Sequence, residues 1–402
     1  MVVNTMRSLF PFFLHNPDLV YLDNAATSQK PNVVIDELTR FYQFDNAPVH
    51  RSFYTLAEHT TEKYEAVRIA ASVYFGATSK DEIVFTAGAT AGLNMLAFGL
   101  VLQLIRPGDE IAISLLEHHS AMLPFVEVAR RVGAVIRYLP ITPLGQVDEA
   151  KLSDCITEKT RCVVCTAGSN VVGVENNFLS VLHRAKVVGA VFVLDAAQMA
   201  PRRRFNLAEL GVDCFVCSVH KMCGPTGLGV LYVAKKWHER CHPWMVGGSM
   251  VQQVHCDAWG ALPMPTMWEA GTPPIAEVIA FGKALSFLQS IGIDHVMAHE
   301  AALSRQFIEG VADQRHISVV GNLDMLAKQG HLASFTVDGW HAHDVAAYLA
   351  TELIAVRSGY HCAQPLHDAL GISQTVRASW YLYTSAEDIA RLIDALARLG
   401  DG

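Results

Sequence analysis

"CFVCSVHKMCGPTG", residues 214–227, changes character halfway along. Apolar residues dominate from Val212 to Val216, then Ser218, His220 and Lys221 follow. A turn built from Gly224, Pro225, Thr226 and Gly227 comes next. The apolar part has the length of a buried strand, and the Gly-Pro turn ends it. A lysine at the mouth of such a strand, among small residues, is poorly placed for mere solubility. It is well placed if its amine must react, because burial tunes a lysine readily.

Working outward, short apolar strands alternate with helical segments from about residue 60 to 235. "DEIVFTAG", "DEIAISLLEHHS", "AVIRYLPI", "RCVVCTAGSNVVG", "AVFVLDAAQ" and "VDCFVCSVHK" read as strands. "TAGLNMLAFGLVLQLI", "AMLPFVEVARRVG" and "LSVLHRAKVVG" read as helices, and "GLGVLYVAKK" as part of a hairpin. Continuous apolar strands interleaved with helices predict an α/β fold with a mostly parallel sheet covered on both faces. Past about residue 275 the pattern shifts to long helices ("EVIAFGKALSFLQSIG", "ALSRQFIEGVADQ"), a few strands ("HLASFTV", "IAVRSG", "TVRASWYLY") and a last helix, "AEDIARLIDALARLG". This predicts a smaller α+β domain. The expected division is a large domain over 21–290 and a small one from 1–20 and 291–402.

The 402-residue chain is 51% hydrophobic and 17% charged, a globular composition long enough for two domains. A formal net charge of −8 argues against a nucleic-acid partner. The single basic run, Arg202-Arg203-Arg204, reads as a solvated loop. No early segment has the pattern of a signal peptide, and Leu93–Ile105 falls short of the ~20 residues of a membrane span. A cytoplasmic protein is expected. Nine cysteines without disulfide-like clustering suit a reducing compartment. Cys162/Cys165 and Cys214/Cys217 imitate a metal ribbon, but residues three apart on a strand face opposite ways, so no metal is expected. "WHAHD" places His341 and His343 in a loop before a helix, with Asp344 as its cap.

Ligands gather at strand ends in such sheets. Polar groups stand at five of them: Thr90, His118, Asn170, Asp195 with Gln198, and His220 with Lys221. "TAGATAGLN" puts Gly88, Ala89 and Thr90 at a strand-to-helix junction, where free N–H groups and the helix dipole suit a phosphate. No triphosphate loop and no dinucleotide fingerprint is present. Asp195 closes the apolar run Ala190–Leu194; it is either structural or the partner of a cation such as a protonated ring nitrogen. An amine, a carboxylate-held cationic ring and a phosphate site together describe pyridoxal phosphate. His118 could stack on that ring. Cys362 sits beside a histidine in "GYHCAQP", a Gly-containing loop before Pro365, a residue suited to a helix start. A partly exposed cysteine there is a candidate nucleophile.

These marks resemble the class V aminotransferase kind, and within it the cysteine desulfurases of the SufS/CsdA-like group. The likeness runs from "YLDNAAT" and "VHRSFYTLAEHTTEKYEAVR" through "EHHSAMLP", "SNVVG", "LDAAQ", "SVHKMCGPTGLGVLY", "WEAGTPP" and "RSGYHCAQPL" to "VRASW". The resemblance implies PLP fold type I and a homodimer with active sites at the subunit interface. It implies that Lys221 bonds the cofactor, His118 stacks on it, Asp195 holds the ring nitrogen and Gln198 the phenolic oxygen. Thr90, Ser218 and His220, with the Gly88–Ala89 backbone, would hold the phosphate, and Thr272 would reach in from the neighbouring subunit. Asn170 and Arg377 would grip the substrate carboxylate, with Ala25, His50, Arg51 and Arg357 lining the pocket. Cys362 would accept sulfur from L-cysteine as a persulfide, leaving L-alanine. Selenocysteine lyase activity and transfer to an acceptor protein of the SufE/CsdE-like kind follow from the same resemblance, the latter as a step toward iron–sulfur cluster assembly. The rival expectations are another class V enzyme, such as an aminotransferase or C–S lyase, and a silent sulfur-carrier scaffold.

Two departures stand out. The family usually has Arg-Gly-Thr-Thr-Glu at the phosphate loop, where this chain has Ala87-Gly88-Ala89-Thr90-Ala91, and Pro274 replaces a common amide residue. Thr90 and the backbone donors remain.

Overall fold

The computed structural model describes residues 6–400. Strand β1 (Val20–Tyr21) precedes helix α1 (Thr55–Phe75). Then come β2 (Ile83–Thr86), α2 (Ala89–Leu96), β3 (Glu110–Ser114), α3 (His119–Val132) and β4 (Val135–Leu139). These are followed by β5 (Thr160–Thr166), α4 (Phe178–Val187), β6 (Val191–Asp195), β7 (Cys214–Ser218) and β8 (Gly229–Val233). The seven-stranded sheet runs β2-β8-β7-β6-β5-β3-β4. Only β8 runs against the other six strands, in keeping with the mostly parallel expectation.

Both faces of that sheet are buried, which is why its strands carry apolar residues without alternation. Cys165, Phe192, Leu194 and Cys217 face one core cluster, and Cys162, Val191, Val193 and Cys214 face the other. Each CxxC pair is therefore split across the sheet, and among the described residues no group could hold a metal ion. Glycines at positive φ, Gly76 and Gly133, end α1 and α3 in the left-handed conformation that glycine adopts without strain.

Beyond β8 lies a two-stranded hairpin, β9 (Val251–Val254) and β10 (Trp259–Ala261). Two long helices follow, α5 (Ile275–Ile291) and α6 (Ile293–Val311). Next are β11 (Ile317–Val319), β12 (Leu332–Val337), α7 (Ala342–Thr351), β13 (Ile354–Ala355) and β14 (Arg357–Gly359). The chain ends with α8 (Gln364–Leu370), β15 (Thr375–Ser379) and α9 (Ala386–Ala397). A four-stranded sheet, β11-β12-β15-β14, packs its own apolar cluster against α6, α7 and α9. β1 pairs in parallel with β13, and Arg7 reaches Asp388 at 3.1 Å, so the N-terminal segment is tied to the C-terminal part. The expected division after residue 20 falls inside β1, and that after 290 falls in the last turn of α5. Among the described residues no single helix is long and apolar enough to cross a membrane.

Two local expectations are corrected. His341, not Asp344, caps α7: its Nδ1 accepts from the His343 N–H at 3.2 Å, and Asp344 lies in the first turn. A ring nitrogen here takes the part usually played by a side-chain oxygen. The basic run is not a solvated loop. Arg202 is buried, donating to Glu300 at 2.9 Å and to the Gln198 carbonyl at 2.7 Å. Arg203 pairs with Glu175 and lies over the Phe178 and Phe205 rings, leaving Arg204 exposed.

Candidate active site

The C-terminal ends of β2, β3, β5, β6 and β7 open onto one cavity of about 190 Å³. It brings together Ala89, Thr90, His118, Asn170, Asp195, Gln198, Ser218, His220 and Lys221 from the large sheet's loops. Ala25 enters from the segment after β1, and Arg357 and Arg377 from β14 and β15. Residues as far apart in sequence as 25 and 377 thus share one space.

Asp195 is the last residue of β6, and it is buried. Its Oδ1 accepts from the Ala197 N–H at 2.9 Å. Burial pushes its carboxyl up, while that N–H and Lys221 pull it back down. Burial lowers Lys221 to about 8, against the upward pull of Asp195. Glu117 is wholly buried beside Asp195; burial and that neighbouring carboxyl push it well up, favouring its neutral form.

His118 caps the N-terminus of α3. Its Nδ1 accepts from the Ser120 N–H at 3.1 Å. The neutral ring therefore carries its hydrogen on Nε2. Burial, then Lys221, lowers this histidine to about 4. Ser120 Oγ lies 3.1 Å from His118 Nδ1 and 2.8 Å from Thr90 Oγ1, joining the ring to the start of α2.

At that start Gly88 takes φ +98°, and the Ala89 N–H donates to Ser218 Oγ at 2.9 Å. Thr86 and Ser218 both pair with Gly229 of β8. A Cβ on Gly229 would stand 2.6 Å from the Gly88 carbonyl carbon, so the loop needs hydrogen there. The charges missing from Ala87 and Ala91 leave the strand beneath still braced. Arg68 and Glu269 form a buried pair at 2.7 Å, Arg68 donating to the Ile83 carbonyl and Glu269 accepting from the Phe85 N–H.

Arg377 is buried and donates to the Asn170 carbonyl at 3.0 Å and to Asp23 at 3.2 Å, while its Nε has no partner among the described residues. Burial lowers it to about 10, which leaves it charged at neutral pH. Asn170 Nδ2 donates to the His361 carbonyl at 2.7 Å, holding the loop that carries Cys362. An amide nitrogen has a second hydrogen to offer. Gln198 Nε2 donates to the Ala25 carbonyl at 3.0 Å, and its buried Oε1 has no partner among the described residues.

Cys362 is half-buried at φ +58°, next to His361 at φ +50°. Pro365 stands at the start of α8, as its sequence position predicts. Cys162, Cys165, Cys214, Cys217 and Cys223 are buried, and burial raises each thiol, Cys223 to about 12. Cys362 is not alone among cysteines beside a histidine. Cys256, next to His255 at the tip of the β9–β10 hairpin, is more exposed. His50, Arg51 and Thr272 do not border the Lys221 cavity of their own chain. They line a second one of about 660 Å³, with Glu65, Arg68 and Glu269. Sequence reasoning passed over Asp23, Ser120 and Glu117. The stretches "EHHS" and "YLDNAAT" contain all three.

The chain belongs to the aminotransferase class-V family, whose model matches residues 20–392. Within that family it is similar to the cysteine desulfurases. It is 39% identical to a probable cysteine desulfurase of Halalkalibacterium halodurans, over 99% of this chain and 97% of that one. It is 34% identical to a cysteine desulfurase of Haloferax volcanii, over 94% of this chain and 88% of the other. The structure matches the apo cysteine desulfurase of Thermococcus onnurineus (TM-score 0.94, 33% identity, 99% and 98% of the two chains). It also matches the cysteine desulfurase CsdA of Escherichia coli (TM-score 0.91, 33% identity, 99% and 98% coverage). These matches bear out the expected α/β fold of PLP type I.

Proposed function

We propose that this chain is a pyridoxal-phosphate-dependent cysteine desulfurase that moves the sulfur of L-cysteine onto Cys362 and releases L-alanine. One observation carries the reading. Lys221 and Arg377, whose Nε has no partner among the described residues, open onto one cavity, and Asn170 ties the Cys362 loop to its wall.

The residues fit the cofactor by donor type. Thr90, Ser218, His220 and the Gly88–Ala89 turn offer donors to a phosphate, Asp195 a carboxylate to a ring nitrogen, and Gln198 an amide hydrogen to a phenolic oxygen. Pyridoxal phosphate, when bound, supplies an electron-accepting ring that lets a bound amino acid lose its α-proton. Lys221 bonds the cofactor and carries that proton. Its low basicity in this cavity keeps a useful fraction of free amine near neutral pH. Asp195 stabilises positive charge on the ring nitrogen. The His118 Nε2–H is a donor fixed in direction by its cap. Arg377 and Asn170 hold the substrate carboxylate, and Arg357 adds charge beside it.

Cys362 takes the substrate sulfur. A new S–S bond forms as the C–S bond breaks, and the products are L-alanine and a Cys362 persulfide, with no outside oxidant needed. The persulfide then passes to an acceptor protein, and selenocysteine is taken by the same site. The enzyme works as a homodimer, in which the surface carrying His50, Arg51 and Thr272 completes the neighbour's site. The grouping of these three in one cavity away from Lys221 supports that arrangement. The test is a single-turnover reaction with L-cysteine. Alanine formed in equal amount with persulfide mapped to Cys362 is expected. Sulfide release without persulfide would identify a C–S lyase, and no cofactor absorbance at all would identify a scaffold.

A further inference from the structure

Two left-handed residues in succession, His361 and Cys362, neither of them glycine, set the direction of the Cys362 thiol. Such a pair persists only where its surroundings over-determine it. Asn170 holds the His361 carbonyl, on the N-terminal side of the cysteine. The other side is held by one residue used twice. The His119 N–H donates to the Cys362 carbonyl at 2.7 Å, and His119 Nε2 accepts from the Gln364 N–H at 3.3 Å. That second bond meets a need built into the chain. Gln364 is the first residue of α8, and the N-cap, Ala363, has no side-chain oxygen to accept an orphan N–H. A histidine ring from α3 acts as the missing cap.

We propose that His119 is a positioning residue for Cys362: it staples the backbone at two points on the C-terminal side of the thiol and so fixes it for attack on the substrate sulfur. This rests on Cys362 as the sulfur acceptor. The adjacent histidines divide the work, His118 facing the cavity and His119 the cysteine loop.

The staple needs an acceptor at the place of Nε2. In His119→Gln the amide oxygen reaches that place; in His119→Asn it stops one bond short; in His119→Ala it is absent. All three keep the backbone N–H. Two readouts are used on the cofactor-bound enzyme. One is the rate of Cys362 alkylation by iodoacetamide, followed by peptide mass. The other is single-turnover persulfide formation from L-cysteine, with KM and the cofactor's visible absorbance measured alongside. For His119→Ala, persulfide formation should slow about fivefold, the worth of one neutral hydrogen bond, and Cys362 alkylation should change by a similar factor as the loop is freed. KM and absorbance should hold. His119→Gln should restore both rates and His119→Asn should not. Unchanged alkylation in His119→Ala, or identical behaviour of the Gln and Asn variants, would overturn the proposal. Failure of the unsubstituted enzyme to form persulfide on Cys362 overturns the function reading instead, and the alkylation arm still tests the staple.

Discussion

Arg357 and Arg377 stand directly opposite each other across β14 and β15. Like charges so placed repel, by roughly 0.2–1 kcal/mol in an open sheet. Asp23 pairs with Arg377 at 3.2 Å and meets Arg357 only at longer range. The cavity between these strands and Lys221 therefore has a standing demand for an anion. Arg377→Gln should raise KM for L-cysteine about 10- to 100-fold, the range of a lost charged hydrogen bond. Arg357→Gln should raise KM less and should not lower the melting temperature of the substrate-free protein. A fall of several degrees would mean that Arg357 is structural.

Cofactor capture should follow the ionisation of Lys221. Only the free amine bonds the cofactor, and Lys221 is lowered to about 8. The rate of uptake by cofactor-free protein should therefore rise with pH through about 8 and level off above it. Asp195 raises the basicity of Lys221, so Asp195→Asn should move the midpoint downward. Stopped-flow absorbance at several pH values reads both midpoints, and an upward shift in the variant would contradict the pairing.

Sulfur should land on one cysteine. Cys362→Ser should retain cofactor absorbance and lose persulfide. Cys223→Ser should leave transfer intact, because that thiol is buried and raised to about 12. Cys256 is the demanding control, being exposed beside a histidine. Peptide mapping after one turnover should find no added sulfur on it.

Gly229→Ala should damage the Gly88–Ala89 turn, proposed to hold the phosphate, from a distance. The added Cβ meets Gly88 backbone at 2.6 Å, with no flexible side chain to yield. A cost of about 1–3 kcal/mol is expected for such overpacking, with weaker cofactor retention on gel filtration. Full retention at unchanged stability would show that the loop adjusts freely.

The strand-end residues were legible because a parallel sheet gathers its strand ends on one edge. Thr90, His118, Asn170, Asp195 and Lys221 needed only the alternation of strands and helices to be placed together. Asp23 was not legible, since its meaning comes from Arg377, 354 positions away. Arg202 misled for the same reason. Three arginines in a row look solvated until Glu300, 98 residues on, is seen beside the first. His341 escaped as a cap because ring nitrogens are uncommon in that part, and His119 escaped because its partners are backbone atoms, which no side-chain motif records.

The solitary antiparallel strand β8 also dictates an order of events as the chain is made. β2 is an edge strand, and β8 is its one sheet neighbour. When residues 83–86 leave the ribosome, their partners at 229–233 do not yet exist. Until β8 is synthesised, β2 has no ladder to join, and the strand that sets Thr86 beside Ser218 is missing. Domains fold as units during synthesis, and unpaired strand edges invite aggregation in the interval. A nascent chain stopped before residue 229 should therefore expose β2, bind chaperones and hold no cofactor. One extended some dozens of residues further, enough to clear the exit tunnel, should close the sheet and cover β2.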